Sequence, residues 1–250
     1  MVYDFPEYYE IAFSFRDVRK EVDFFEEAMK RYSSLPLRGV LELASGPSPH
    51  LEEWHRRGVR YHGIDTNSNM LRYARERAKR SGIGAEFRRG NVRSADLGRN
   101  RIDFAYVMLG SLYVRSNDEF LEHLGRVATV LRRDALYLID GFVWFDVFKH
   151  SHQSWTMRRG GIRVKTLYQT TTADAVEQTY HEHLTLRVTD RGRKHMLKAE
   201  ERRKAFFPQE FLALVRAQKR FEFVGWFNNF HFRERPRPSG RQAVLLRKVR

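Results

Sequence analysis

One stretch near the start of the chain constrains the fold more than any other. An apolar run at 39–43 contains Glu42 and leads into a turn of small residues around Gly46, and a second apolar run, 59–64, ends at Asp65. In open α/β sheets a tight turn follows the first strand, and an acid about 20 residues further on binds the ribose hydroxyls. The pattern therefore predicts an open sheet with a nucleotide-type site at the carboxyl ends of its strands.

Strands and helices alternate through the first half of the chain. Apolar runs predict strands at 39–43, 59–64, 85–88, 103–108 and 135–139, a helical pattern covers 68–80, and Ser116 opens a further helix. Such alternation is typical of a parallel sheet with right-handed crossovers. We expect an α/β, doubly wound, Rossmann-like sheet.

The pattern changes after Gly141. Alternating residues predict strands at 163–172, 176–189 and 194–203, which form an antiparallel insertion, followed by a helix at 208–218 and strands at 221–227 and 242–247. We expect four parts: an N-terminal helical lid (1–36), a cofactor-binding core (37–141), an antiparallel substrate cap (142–205) and a return to the core (206–250).

Composition excludes several classes of protein. The 250 residues include no cysteine, so disulfides, thiol catalysis and cysteine-ligated metals are excluded. No apolar run approaches the roughly 18 residues of a membrane span, and the first residues do not resemble a secretory signal, so we expect a cytoplasmic protein without a membrane partner. The net charge of +15 fits either an anionic partner or an arginine-rich surface with many ion pairs, as in some thermophiles.

Four motifs occur in a fixed order: the first loop from Glu42 to Ser48, Asp65 after the second strand, Asn91 after the third, and residues 108–113 after the fourth. This set resembles the class I S-adenosylmethionine-dependent methyltransferases, in particular the small-molecule type with an antiparallel insertion after strand five. The resemblance implies an antiparallel last strand. It also implies a methyltransferase whose cofactor is S-adenosylmethionine and whose product is S-adenosylhomocysteine.

The resemblance also implies a cofactor site. The first loop would wrap the methionine part, Asp65 would hold the ribose, Met70 would pack near the adenine, and Asn91 would hold its amino group. The implied cofactor-binding residues are Glu42, Ala44, Ser45, Gly46, Asp65, Thr66, Met70, Asn91, Val92, Leu109 and Gly110. The chain departs from the family pattern at Ala44 and Ser48, which replace glycines, and at Asn91, which replaces an aspartate. The alternative of a dinucleotide-binding domain is disfavoured, because the chain lacks the Gly-x-Gly-x-x-Gly motif of such domains. Glu42 would also face the dinucleotide's pyrophosphate unfavourably.

The candidate catalytic residues are Tyr113 and Asp140, at the ends of strands four and five, where open sheets bind ligands. Tyr113 could orient an amine or simply pack, and Asp140 could take a proton or cap its loop. The candidate substrate residues are Tyr9, Arg16, Ser111 and Trp144. His181 and His183 share a strand face, but without a nearby acid cluster we expect no metal site.

The sequence leaves three functions open. The first is methyl transfer to an N or O nucleophile of a small molecule, with an acidic acceptor as one option. The second is an RNA methyltransferase that uses its basic surface, including the arginine-rich loop 233–241. The third is a non-catalytic protein that binds the cofactor or RNA. The oligomeric state and the acceptor are not determined by the sequence.

Overall fold

The structure is a computed structural model that describes residues 1–91, 101–146, 150–234, 236–237 and 240–249. A central seven-stranded sheet has the order β10-β11-β5-β4-β1-β2-β3. Its strands are β1 (Gly39–Leu43), β2 (Arg60–Asp65), β3 (Glu86–Arg89), β4 (Ile102–Val107), β5 (Leu131–Asp140), β10 (Phe221–Asn228) and β11 (Gln242–Lys248). β1 to β5 are parallel, and β11 is antiparallel to both β5 and β10. The predicted fold class, including the antiparallel last strand, is confirmed.

Helices cover both faces of this sheet. They are α2 (Val18–Tyr32), α3 (Leu51–Arg56), α4 (Ser68–Arg80), α5 (Asn117–Val130) and α6 (Pro208–Gln218), whereas α1 (Pro6–Ala12) lies against the second sheet. Successive side chains of a strand point to opposite faces. Leu41 accordingly packs with Phe120 of α5, whereas Val40 packs with Trp54 of α3. α5 and α6 thus cover one face, while α2, α3 and α4 cover the other.

A second, four-stranded antiparallel sheet consists of β6 (His152–Arg159), β7 (Ile162–Asp174), β8 (Thr179–Asp190) and β9 (Arg193–Lys204). Three of these strands were predicted from sequence, and β6 was not. β6 is an edge strand, and most of its residues are exposed, so it lacks the apolar alternation that marks a strand. The predicted division at residues 36, 141 and 205 stays a prediction, although all four strands of this sheet lie within 142–205.

The N-terminal residues join the two sheets. Ile11 and Ala12 of α1 pack against Leu184 and Leu186 of β8, whereas α2 packs on the central sheet. In the part of the chain that the structure describes, no helix is long and apolar enough to span a membrane.

Candidate active site

A cavity lies where β1 and β2 end. This cavity, of about 500 Å³, is lined on the side of the central sheet by Gly46, Asp65, Met70 and Asn91, and on the opposite side by Tyr3, Tyr113 and residues 199–202 of β9. We call it the main cavity. Cavities of about 300–1,000 Å³ hold small organic ligands. The main cavity therefore lies at the sheet edge that the sequence predicted.

The loop after β1 has an unusual backbone. Ala44, Gly46 and Ser48 all adopt left-handed conformations, with φ of 51°, 52° and 54°. These are the three positions that are glycine in the family pattern, and only glycine adopts this conformation without cost. The loop is held by hydrogen bonds from Ser45 N to Ile64 O and from Ser48 N to Ser45 O, at 2.9 and 2.8 Å. Two departures from the motif therefore leave the loop's path intact.

Because Ser48 is non-glycine at φ 54°, we expect Ser48→Gly to raise the free energy of unfolding by roughly 0.5–1 kcal/mol. The side chain that it removes is fully buried. Urea denaturation measures this change, and Ser151→Gly on an ordinary loop is the matched control. A loss of stability in Ser48→Gly as large as that in the control would show that the conformation carries no strain.

Asp65, the last residue of β2, is positioned by two backbone groups. Its Oδ2 accepts a hydrogen bond from Gly46 N, and its Oδ1 accepts one from Asn67 N, both at 2.8 Å. Burial raises the pKa of Asp65 above its ordinary value, while these N–H groups act to lower it. An aspartate can accept about four hydrogen bonds, so acceptor capacity remains for a ligand. Asp65 therefore lines the main cavity as a preorganised acceptor.

The first turn of α4 completes this wall. Asn67 caps the helix by accepting hydrogen bonds from Asn69 N and Met70 N, at 2.9 and 3.1 Å. This places Met70 at the cavity, together with Thr66 and Asn91. Val92, which the sequence also predicted here, lies outside the described residues.

A smaller cavity of about 50 Å³ adjoins the main cavity, since Tyr9, Ala44, Gly46 and Ser111 line both. Its remaining walls include four predicted residues: Arg16, Glu42, Ser45 and Leu109. The structure therefore brings together most of the predicted cofactor residues and three of the four predicted substrate residues.

Besides lining the smaller cavity, Glu42 makes buried hydrogen bonds that the sequence did not predict. Its Oε2 accepts hydrogen bonds from the hydroxyls of Tyr61 and Tyr106, at 2.5 and 3.2 Å. Its Oε1 lies 3.1 Å from Nδ1 of His50, and Nε2 of His50 lies 2.8 Å from Oε2 of Glu21. One buried imidazole thus bridges two buried carboxylates beneath the first loop.

Two arginines extend this group, which we call the buried charge network: Arg16, Glu21, Glu42, His50, Asp140 and Arg241. Arg16 donates to both oxygens of Glu21, at 3.1 and 2.6 Å, and Arg241 joins Glu21 to Asp140. Burial disfavours the charged form of His50, but Glu42 and Glu21 outweigh it, and the pKa of His50 is raised. The network ties α2, β1, β5 and the start of β11 together.

Asp140 lies in this network and not at either cavity. Its side chain is fully buried, Oδ2 accepts a hydrogen bond from Leu109 N at 2.7 Å, and both oxygens accept from Arg241. This geometry does not support Asp140 as the acceptor of a proton from the substrate. It supports the alternative, in which Asp140 holds the loops after β4 and β5.

Gly110 and Trp144 also lie away from the lining of the two cavities. A Cβ at Gly110 would lie 2.9 Å from Gly141 O, so this glycine permits close approach of the loops after β4 and β5. Trp144 contacts Tyr180, with ring centroids 4.6 Å apart. We infer packing roles for both positions.

The wall opposite Asp65 contains an aromatic and charged cluster. The hydroxyls of Tyr3 and Tyr113 are 2.8 Å apart, and Tyr113 donates to Glu182 Oε1 at 3.5 Å. Arg203 pairs with Glu182, donates to Gly110 O, and lies over the ring of Tyr113 at 4.4 Å. Burial raises the pKa of Tyr113 well above its ordinary value, so this phenol is neutral. Sequence reasoning found Tyr113 but missed Tyr3, Glu182 and Arg203.

Two further predictions concern histidines and the arginine-rich loop. His181 and His183 point away from the buried face of β8 and lie 3.2 and 3.5 Å from Glu200. No three metal-ligating side chains cluster among the residues that the structure describes. In the loop, Arg235 lies outside the described residues, and Arg241 belongs to the buried charge network, so Arg241 is not available to RNA.

Residues 40–134 match the family model of a methyltransferase domain. This chain contains a methyltransferase domain. This match and the fold agree with the predicted S-adenosylmethionine-dependent methyltransferase, and the proteins that share the fold include S-adenosylmethionine-dependent enzymes. No curated protein matches this sequence.

Solved structures share the fold over nearly the whole chain. An S-adenosylmethionine-dependent methyltransferase from Clostridium acetobutylicum is 14% identical, with a TM-score of 0.80 and coverage of 97% of this chain and 96% of that chain. DesVI from Streptomyces venezuelae is 18% identical, with a TM-score of 0.76 and 96% coverage of both chains. CalS10, an amino pentose methyltransferase from Micromonospora echinaspora, is 15% identical, with a TM-score of 0.73 and coverage of 94% and 92%.

The two cavities have the features that S-adenosylmethionine requires of its site. A nucleoside needs an acceptor for its ribose hydroxyls, and Asp65 supplies one at the end of β2 with acceptor capacity to spare. A Cβ built on Gly46 would meet no atom within 4 Å, so the loop borders open space. The main cavity and its smaller neighbour together extend from Asn91 to Arg16.

Proposed function

We propose that this methyltransferase transfers a methyl group to an amino group of a small polar acceptor held in the main cavity. The observation that carries the proposal is the composition of the wall opposite Asp65, where Tyr3, Tyr113, Glu200 and Glu201 line the cavity. At neutral pH most amines are cations, and carboxylates and phenol oxygens bind them. CalS10 and the sugar N-methyltransferase KedS8, which share the fold, are described as methylating an amino pentose and a sugar nitrogen.

The opposite wall is assigned to the cofactor. Asp65 would accept hydrogen bonds from the ribose hydroxyls, Met70 and Asn91 would flank the adenine, and Tyr9 and Arg16 would lie beside the methionine part. S-adenosylmethionine supplies an already activated methyl group, so the protein's contribution is to position the nucleophile. A bound ammonium has no lone pair, so one proton would pass to Glu200 or Glu201 before the nitrogen attacks, and S-adenosylhomocysteine would leave.

Arg115 and Arg202 line the same cavity as the carboxylates. Guanidinium groups bind carboxylates and phosphates with two parallel hydrogen bonds. We infer that the acceptor carries an anionic group besides its amine. This agrees with the anionic acceptor that the sequence suggested.

Tyr113 would orient the amine. Its hydroxyl is held between Tyr3 and Glu182, and its ring lies under Arg203, so its position is fixed before the acceptor binds. We expect Tyr113→Phe to lower kcat about 10- to 100-fold, the effect of one lost hydrogen bond of about 1.5–3 kcal/mol. Transfer of tritiated methyl groups to the acceptor measures this change.

The matched control is Tyr8→Phe, which removes a hydroxyl bonded to Asp190 at 2.9 Å, and neither residue lines either cavity. It should leave kcat unchanged. An unchanged kcat in Tyr113→Phe, or a loss that follows only from weaker cofactor binding, would show that Tyr113 merely packs.

The choice of nucleophile is tested with paired acceptors. Amino sugars and the same sugars with hydroxyl in place of amine would be incubated with S-adenosylmethionine, and methylated products would be detected by mass spectrometry. We expect methylation of amines, preferably those that carry a phosphate or carboxylate. Methylation of the hydroxyl compounds alone would contradict an amine acceptor.

A further inference from the structure

The second sheet has one face that nothing in the described structure covers. Its inner face packs on α1 through Val164, Leu184 and Leu186. Because side chains alternate along a strand, the neighbours of these residues form an outer face. Three successive cross-strand rows of this outer face are Arg158, Arg163, Thr189 and Lys194; Thr156, Lys165, Arg187 and Met196; and Ser154, Leu167, Thr185 and Lys198.

These rows are strongly basic. Half of their positions are exposed cations, and the rows contain no carboxylate; we call this surface the basic face, and its cations are Arg158, Arg163, Lys165, Arg187, Lys194 and Lys198. None of these cations forms an ion pair with a residue that the structure describes. By contrast, Arg57 contacts three carboxylates and Arg77 two.

The arrangement of the basic face costs stability. Arg158 lies directly opposite Arg163, and Lys165 directly opposite Arg187. Like charges at such positions destabilise a sheet. One explanation of the net charge was an arginine-rich surface stabilised by ion pairs. That explanation does not account for the cations of the basic face. A bound polyanion would neutralise them.

We propose that the basic face binds the phosphodiester backbone of single-stranded RNA. Neighbouring strands lie about 4.8 Å apart and alternate residues about 6.7 Å apart, so the cations form a flat array that several consecutive phosphates can contact. Interspersed hydroxyls, such as those of Thr156 and Thr185, offer hydrogen bonds to phosphates and to the ribose 2′-hydroxyl.

Other occupants fit the basic face less well. A second copy of the chain would bring two basic faces together, and their charges would repel. Binding to a membrane surface requires buried apolar area as well as charge. The apolar residues of these rows are Leu167 and Met196, and the rows contain no aromatic residue, so a membrane fits the basic face less well.

The basic face leads to the main cavity. Along β9, Lys198 is followed on the same face by Glu200 and Arg202, and both of these residues line the cavity. RNA bound across the sheet would therefore reach the cavity mouth. This interaction goes beyond the methyl transfer proposed above, which does not require it.

The test is fluorescence anisotropy with a labelled uridine oligonucleotide of about 20 nucleotides, titrated between about 50 and 200 mM NaCl. The variant is the triple substitution Arg163→Gln, Lys165→Gln and Arg187→Gln. We expect binding at least tenfold weaker. The slope of log affinity against log salt should be less steep by about 2, at roughly 0.7 per lost phosphate contact.

The control is a second triple substitution, Arg19→Gln, Arg72→Gln and Lys79→Gln, which removes the same charge from exposed positions on α2 and α4. It should weaken binding less than twofold. Equal losses in both triple variants would overturn the proposal, because binding would then reflect net charge alone. Binding to phosphatidylserine vesicles without binding to RNA would also overturn it. Calorimetry with S-adenosylmethionine on both variants measures the cofactor site by itself. A failure of RNA binding is thereby distinguished from a failure of the proposed methyl transfer.

Discussion

Replacing Asp65 by alanine is expected to weaken S-adenosylmethionine binding at least 100-fold. The carboxylate accepts hydrogen bonds from Gly46 N and Asn67 N, and it is placed to accept the ribose hydroxyls. Hydrogen bonds to charged groups contribute about 1.5–3 kcal/mol each, so the loss of two exceeds a factor of 100. Isothermal calorimetry on wild type and variant measures the change.

A matched control exists in the second sheet. Asp174 also accepts hydrogen bonds from two backbone N–H groups, those of Val176 and Glu177, both at 2.9 Å. Asp174→Ala should bind the cofactor as tightly as wild type, although it loses an equivalent pair of hydrogen bonds to backbone N–H groups. If Asp65→Ala bound as tightly as this control, the ribose would lie elsewhere and the assignment of the main cavity would be wrong.

Replacing His50 by alanine is expected to lower the free energy of unfolding by about 3–5 kcal/mol. The substitution leaves Glu21 and Glu42 buried, without the imidazole that lies between them. Breaking a buried ion pair by removing one partner typically has an effect of this size. Urea denaturation gives the value, and His55→Ala, at an exposed position of α3, should change stability by less than about 0.5 kcal/mol.

The same network predicts how stability depends on pH. The pKa of His50 is raised above 6.5, so its contribution is fully present below pH 6.5 and is lost as the pH rises through the raised value. Burial alone would raise the pKa of Glu21, but His50 and Arg16 lower it below 4.5, so its contribution is present above pH 4.5 and is lost at lower pH. We expect the loss of stability above pH 6.5 to be absent in His50→Ala. A parallel pH profile for wild type and variant would contradict a charged His50.

Signals local in sequence predicted the central fold and half of the site. The bounds of β1 and α4 follow from apolar periodicity, and Asp65 follows from its spacing after the first loop. The strand and the helix depend on residues within about one turn or strand of each other, and Asp65 on a fixed spacing within one βαβ unit, which is why a single sequence reveals them. The left-handed path of Ala44 and Ser48 was not visible, because neither residue is a glycine.

The rest of the site depends on contacts between distant segments. Glu21 and His50 are 29 residues apart, and Tyr3 and Tyr113 are 110 residues apart. No local pattern marks such pairs, because the sheet topology brings them together. The same limit applies to Asp140, whose position at a strand end suggested a base but whose partner, Arg241, comes from a loop 101 residues later.

Calorimetric titration of the wild-type protein with S-adenosylmethionine and S-adenosylhomocysteine tests the central claim most directly. We expect both to bind one site per chain with micromolar affinity, because the loop and Asp65 keep their arrangement despite the serine and alanine in place of glycines. If neither compound bound, the strained loop would have abolished the cofactor site, and the main cavity would not be the active site of a methyltransferase.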